Sequence, residues 1–139
     1  TRAARDIASA MSTNCGSLCT IKRYIMVARG RNCRMDDKTY KRYERELNAA
    51  VNRKPRGSTE HDRFVLSVAE KAKWFFRVYD AIENKNTYPM FCAIFLSTKN
   101  VKKSILEYAD DFGLSERSLI RHKRKVLRIY VHIYESCRK

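Results

Sequence analysis

Glycine is scarce in this chain. The four glycines among 139 residues never cluster, so no glycine-rich loop exists to cradle the phosphates of a nucleotide. Nucleophile-elbow and paired-acid signatures are missing as well, and the expectation is a protein that is not an enzyme. No apolar run is long enough to span a bilayer. The opening residues, Thr1-Arg2-Ala3-Ala4-Arg5-Asp6, lack the apolar stretch of a secretory signal. Position 1 is Thr rather than Met, consistent with an initiator or an upstream piece preceding it. Internal repeats, low-complexity tracts and hairpin signals are all absent. Cysteine is present five times, an odd number without a dense framework, which fits a reduced, intracellular setting in the cytoplasm or nucleoid.

Acidic residues are in short supply too: 15 Asp and Glu stand against 30 Lys and Arg, for a formal net charge of +15. A field of that size implies a polyanionic partner, either nucleic acid or an anionic surface. The excess is uneven. Residues 1–56 hold 14 cations against 5 acids, residues 57–100 hold 6 against 5, and residues 101–139 hold 10 against 5. The near-neutral middle reads as scaffold and the two basic ends as contact surfaces.

Apolar residues make up 44% of the chain, enough for a core, and their spacing predicts an all-α fold. Short helices are expected over 5–11 and from Ser17 to Gly30, and a third from Asp36 or Asp37 to about Val51 with Tyr40, Tyr43, Leu47 and Ala50 inward. Asn52 to Ser58 holds Pro55, Gly57 and three cations, and reads as a linker. The expected organisation is a basic helical accessory segment at 1–52, a linker at 53–58 and a helical core at 59–139. Thr59 and Asp62 form a capping box for a helix over 60–84. Its stripe is Phe64, Val68, Ala72, Phe75, Tyr79 and Ile82, widened by Val65, Ala69 and Phe76. The run from Tyr88 to Leu96 fits a buried helix or a strand, and Pro89 in a first turn favours helix. Helices at about 100–111 and 116–135 follow.

The last two form the main functional signal. Ala109 is small enough for a close helix crossing, and Gly113 tolerates the positive φ of a tight turn. Ser115 is an N-cap, while Ile105, Leu106, Leu114 and Leu119 supply a small core. Beyond the cap, Arg117, Arg121, Arg124 and Arg128 recur at intervals of four, three and four, flanked by His122, Lys123 and Lys125. In a helix lying in the major groove, early residues meet base edges and later ones meet the backbone. The expected base contacts are Arg117 and Arg121, with Ser118 and His122 secondary. The expected phosphate contacts are Ser115, Lys102, Lys103, Arg124, Lys125 and Arg128, joined by Arg53, Lys54 and Arg56 of the linker.

The stretch from Tyr108 to His122 resembles the helix-turn-helix of sigma-factor region four and its relatives, including phage transcription regulators. Ala109, Gly113, Ser115 and Leu119 match that pattern. Lys123 departs from it, since an aliphatic residue commonly closes the core there. The size and helical lead-in also resemble those of phage late-gene antiterminators. The resemblance covers roughly 30 residues and implies duplex DNA as partner, often alongside RNA polymerase.

Other readings compete. Cys15, Cys19 and Cys33 with His61 have zinc chemistry. The Cys-x3-Cys spacing is not the compact knuckle, however, and unligated thiols with no cofactor are the expectation. Tyr24, Tyr40 and Tyr43 among many cations would suit RNA or single-stranded DNA, although burial of Tyr40 and Tyr43 is favoured. Residues 126–134 are apolar on more than one side, which would suit a homodimer or an adaptor role. A nonspecific or RNA-binding nucleoprotein is the main alternative to a regulator.

Overall fold

The helical periodicities predict where the chain coils, and the computed structural model, which describes residues 37–138, follows them closely. Its helices are α1 (Asp37–Arg53), α2 (Glu60–Glu83), α3 (Thr87–Phe95), α4 (Ile105–Phe112) and α5 (Glu116–Arg138). No strand occurs among the described residues, so this region is all-α. The expected helices over 5–30, together with Tyr24 and the zinc candidates Cys15, Cys19 and Cys33, lie outside the described residues.

Helix α2 starts as its sequence predicts. Thr59 Oγ1 accepts from the Asp62 N–H at 3.0 Å, and the Asp62 carboxylate accepts from the Thr59 N–H at 3.2 Å. Val68, Ala72, Phe75 and Tyr79 are buried along its stripe, with Val65, Ala69 and Phe76 beside them. Ile82 departs from the stripe and is 55% exposed. The step of three from Tyr79 rotates it to the rim of the face. The helix ends at Asn84 in the left-handed region, φ 54°. Asp80 then caps the next helix from a distance. Its carboxylate accepts from the Thr87 N–H at 2.9 Å and the Tyr88 N–H at 2.8 Å, two of the donors that open α3.

Helix α1 packs against α2 and α5. Tyr40, Tyr43, Leu47 and Ala50 lie in the same core as Val65, Phe75, Phe91, Leu119 and Ile133. Residues 53–58 form an exposed turn that joins two packed helices. Burial of Tyr40 and Tyr43 also removes their rings from any stacking surface. Each large side chain in this core contributes about 1.5–3 kcal/mol by leaving water.

The second half of α5 runs through that core. Val126, Leu127, Ile129, Tyr130, Val131, Ile133 and Tyr134 are all buried. The apolar surface expected to meet a second copy is thus already covered within one chain. Tyr134 donates to Glu46 of α1 at 2.8 Å, and Tyr43 donates to Glu135. Burial, and then the hydrogen bond to Glu46, push the Tyr134 hydroxyl up to about 12.

Arg53 closes the α1–α2 turn with a bidentate pair, its Nε 2.9 Å from Asp62 Oδ2 and its Nη2 2.8 Å from Oδ1. This guanidinium is the leading cause that holds the Asp62 carboxyl below the usual carboxylate range. A lowered carboxylate pKa contributes stability that is full above the unfolded value of about 3.9 and is lost as pH falls through the folded one. Arg53→Gln is therefore expected to lower Tm near neutrality, and the gap to wild type should narrow as pH drops below about 4. Thermal melts of both proteins from neutral to acid pH check this.

Candidate nucleic-acid interface

The α4–α5 unit is built from two caps and one buried face. Ser104 and Glu107 form a capping box that starts α4 about one turn later than its sequence suggests. Ile105, Tyr108, Ala109 and Phe112 then fall on one face, and Tyr108 and Ala109 are each 4% exposed. Leu106, expected in this small core, is 66% exposed because it sits one residue off that face. Tyr108 takes the anchoring role instead. Its hydroxyl donates to the Ala93 carbonyl of α3 at 2.9 Å and accepts from the Lys103 N–H at 3.1 Å.

Gly113 ends α4 at φ 67°, where a side chain would be strained. The Leu114 N–H reaches the Ala109 carbonyl at 2.8 Å and the Gly113 N–H reaches Asp110 at 3.2 Å, which together make a Schellman motif. Ser115 Oγ then accepts from the Ser118 N–H at 3.1 Å, capping α5. Leu119 is fully buried and ties the start of α5 to α4. The turn geometry expected from Ala109, Gly113, Ser115 and Leu119 is thus present.

The cations divide by what they touch. Arg117 and Arg121 are exposed and form no ion pair among the described residues. Arg124 shares their side of the helix and is exposed. Arg128 is half-buried, its Nε 3.4 Å from the Tyr40 hydroxyl. Lys125 is half-buried, with Nζ 5.5 Å from the centroid of the Tyr79 ring. Ser118 is half-buried, and its amide belongs to the cap. His122 turns away from the arginine stripe into a cavity beside Lys85 and Lys125. Burial, and then the charges of Lys125, Lys85 and Arg121, lower its pKa.

Several expected phosphate contacts have protein partners. Arg53 is held by Asp62. Lys103 pairs with Asp111 at 2.7 Å, and Lys102 donates to Asn48 at 2.8 Å. Partial burial lowers the Lys102 pKa ahead of the opposing pull of Glu44. Lys54 and Arg56 are exposed at the α1–α2 turn. His61, the described member of the expected zinc set, has Nε2 2.8 Å from Glu46 Oε1.

Lys123, the departure from the familiar pattern, joins two helices. Its Nζ lies 2.8 Å from Glu44 of α1, with both side chains largely buried, and 5.9 Å from the centroid of the Phe95 ring. The position that an aliphatic residue commonly fills thus carries a snorkelling stem and an inter-helix ion pair. Next to it lies a basic surface absent from the expected phosphate contacts. Lys38, Lys41 and Arg45 are exposed along α1, and Lys41 borders the same groove as Arg124 and Ile120. The signal was their spacing of three and four, which places them on one face opposite Tyr43 and Leu47.

Replacing Lys123 alone by Leu is expected to cost about 1–3 kcal/mol, because Glu44 keeps its desolvation without a partner. Adding Glu44→Leu should restore most of that loss. Urea denaturation of the two single variants and the double variant measures the coupling, and additive effects would contradict it.

Comparison of the chain with protein-family models, with curated proteins and with solved structures finds no match.

Proposed function

We propose that this protein is a DNA-binding transcription regulator in which α4 and α5 act as a helix-turn-helix and the start of α5 reads duplex DNA. The observation that carries the reading is the capped turn from Ala109 to Leu119, with Arg117 and Arg121 exposed beyond it and unpaired among the described residues. A Schellman turn and a serine cap fix the angle at which α5 leaves the body. The first two turns of α5 then offer a positive helix end as well as two guanidinium groups, each suited to bidentate contact with guanine. Arg124 and Lys125 fall where a groove-bound helix meets phosphates, and Lys54 and Arg56 add positioning charge. Ser118 and His122 carry less of the reading, since one serves the cap and the other lines a cavity.

The resemblance to sigma-factor region four, and to phage regulators that share its turn, supports the same reading and makes RNA polymerase a proposed second partner. An intracellular setting follows from such a role. No described helix is long and apolar enough to cross a membrane. The exposed basic face of α1 favours a second reading, a nucleoprotein that binds DNA or RNA by charge with little preference for sequence. No catalytic residue is assigned under either reading.

Selection from a random duplex DNA pool at about 150 mM salt separates the two. The regulator reading expects an enriched motif that Arg117→Ala/Arg121→Ala loses, with a cost of about 1–3 kcal/mol per lost base contact. Lys54→Ala/Arg56→Ala should weaken all sequences alike. Binding without enrichment, equally strong to RNA, would overturn the regulator reading in favour of the second.

A further inference from the structure

Between the end of α2, the start of α3 and the turn from α4 to α5 lies a cavity of about 180 Å³. Lys85, Lys125 and His122 supply its basic groups, and Asn84 and Asn86 add amides. Met90, Phe112 and Leu114 form an apolar side. None of the lining residues is acidic. Asp80 and Glu83 at the end of α2, Asp110 and Asp111 at the end of α4 and Glu116 at the start of α5 are not among them; Asp80 is engaged with the Thr87 and Tyr88 amides and Asp111 with Lys103. Two ammonium groups line this cavity with an imidazole and no carboxylate, and their charges disfavour protonation of His122 in the empty molecule. The arrangement becomes favourable when an anion sits between them.

We propose that this cavity binds one phosphate ester group, with Lys85, Lys125 and His122 holding the oxyanion and Phe112, Leu114 and Met90 taking the apolar part of the ester. Its size selects the ligand class. Sites that enclose a whole cofactor run to about 300–1,000 Å³, so this one suits a head group and a short apolar portion. The donors also suit phosphate, because two ammonium groups and an imidazole meet three oxygens without needing a planar fork. Lys85 projects from the turn that follows the left-handed Asn84, beyond the last helical residue of α2. Lys125 and His122 lie on successive turns of α5, three residues apart. Two separate segments therefore converge on the site.

Two sources of the phosphate fit this chemistry: a free phosphate ester, or a backbone phosphate of DNA lying along the recognition helix. The second deepens the proposed regulator role. The first stands without it.

His122 is the reporter. From α5 it faces the charges of Arg121 and Lys125 and from the end of α2 that of Lys85, while the α3 and α4–α5 turn residues lining the cavity bring no charge. An anion seated among these groups offsets their repulsion, so the His122 midpoint should rise on binding by about one pH unit. The experiment is an NMR titration of the histidine ring protons in the full chain with phenyl phosphate, inorganic phosphate, or chloride at matched ionic strength. The expected result is a saturable rise for phenyl phosphate, a smaller one for inorganic phosphate and none for chloride. Lys85→Ala, an exposed turn substitution, should abolish the rise without lowering Tm in chloride. A rise of equal size in chloride, or one retained in Lys85→Ala, would overturn the proposal.

A second arm distinguishes the sources. If Lys85→Ala lowers the salt slope of duplex binding by about one, the site takes a backbone phosphate. If duplex binding is unchanged, or the wild type binds no duplex at all, a phenyl phosphate response lost in Lys85→Ala assigns the cavity to a free ester.

Discussion

Helix α5 is asked to be two things along its length. From Val126 to Tyr134 it is buried on nearly every side by α1, α2 and α3, so its axis is set by packing it cannot give up. From Glu116 to Lys125 it emerges from that core, held by Leu119 from one side and by the Lys123–Glu44 pair from another. A rigid helix transmits the position of its buried half to its exposed half. Arg117 and Arg121 are thereby carried at a fixed distance and phase from the body, without loops of their own. The rest of the fold follows from that constraint. Helix α3 packs Phe91 against Tyr130 and accepts Tyr108 of α4 at Ala93, so the first helix of the pair is seated on the same core as the second.

Charge is sorted by partner rather than spread evenly. The cations nearest the helix junctions are tied to the protein: Arg53 to Asp62, Lys103 to Asp111, Lys123 to Glu44. Those at the start of α5 and along the outer face of α1 stay exposed. An exposed pair such as Lys103–Asp111 is worth little to stability on its own. Its effect on location is larger, since a lysine held by a carboxylate is a poor phosphate ligand. A net charge of +15 therefore overstates the number of cations open to a partner.

Much of this was legible in the residues. The Thr59–Asp62 box, the buried α2 stripe, the glycine turn and the Ser115 cap are local devices, and local geometry is written in local spacing. Contacts that join distant segments were not legible. Nothing near Lys123 announces Glu44, and nothing near Arg53 shows that Asp62 turns back to meet it rather than leaving it for phosphate. The errors have the same origin. Leu106 and Ile82 are apolar and close to the right phase, yet each stands at the rim of its face, and a rim position is decided by the neighbour that packs there. The apolar second half of α5 looked equally suited to a partner or to the interior, because burial by one's own chain and by another leave the same pattern.

The most direct test is an amide-resolved NMR titration of the full chain with duplex DNA. A helix-turn-helix that engages DNA through the start of α5 predicts the largest shifts at Ser115 to Arg121, smaller ones at the α1–α2 turn, and unmoved amides on the outer face of α2 at Ser67 and Trp74. Shifts concentrated on Lys38 to Arg45, with Ser115 to Arg121 unmoved, would contradict it. The helix pair would then be scaffold, and the binding surface would be the basic face of α1.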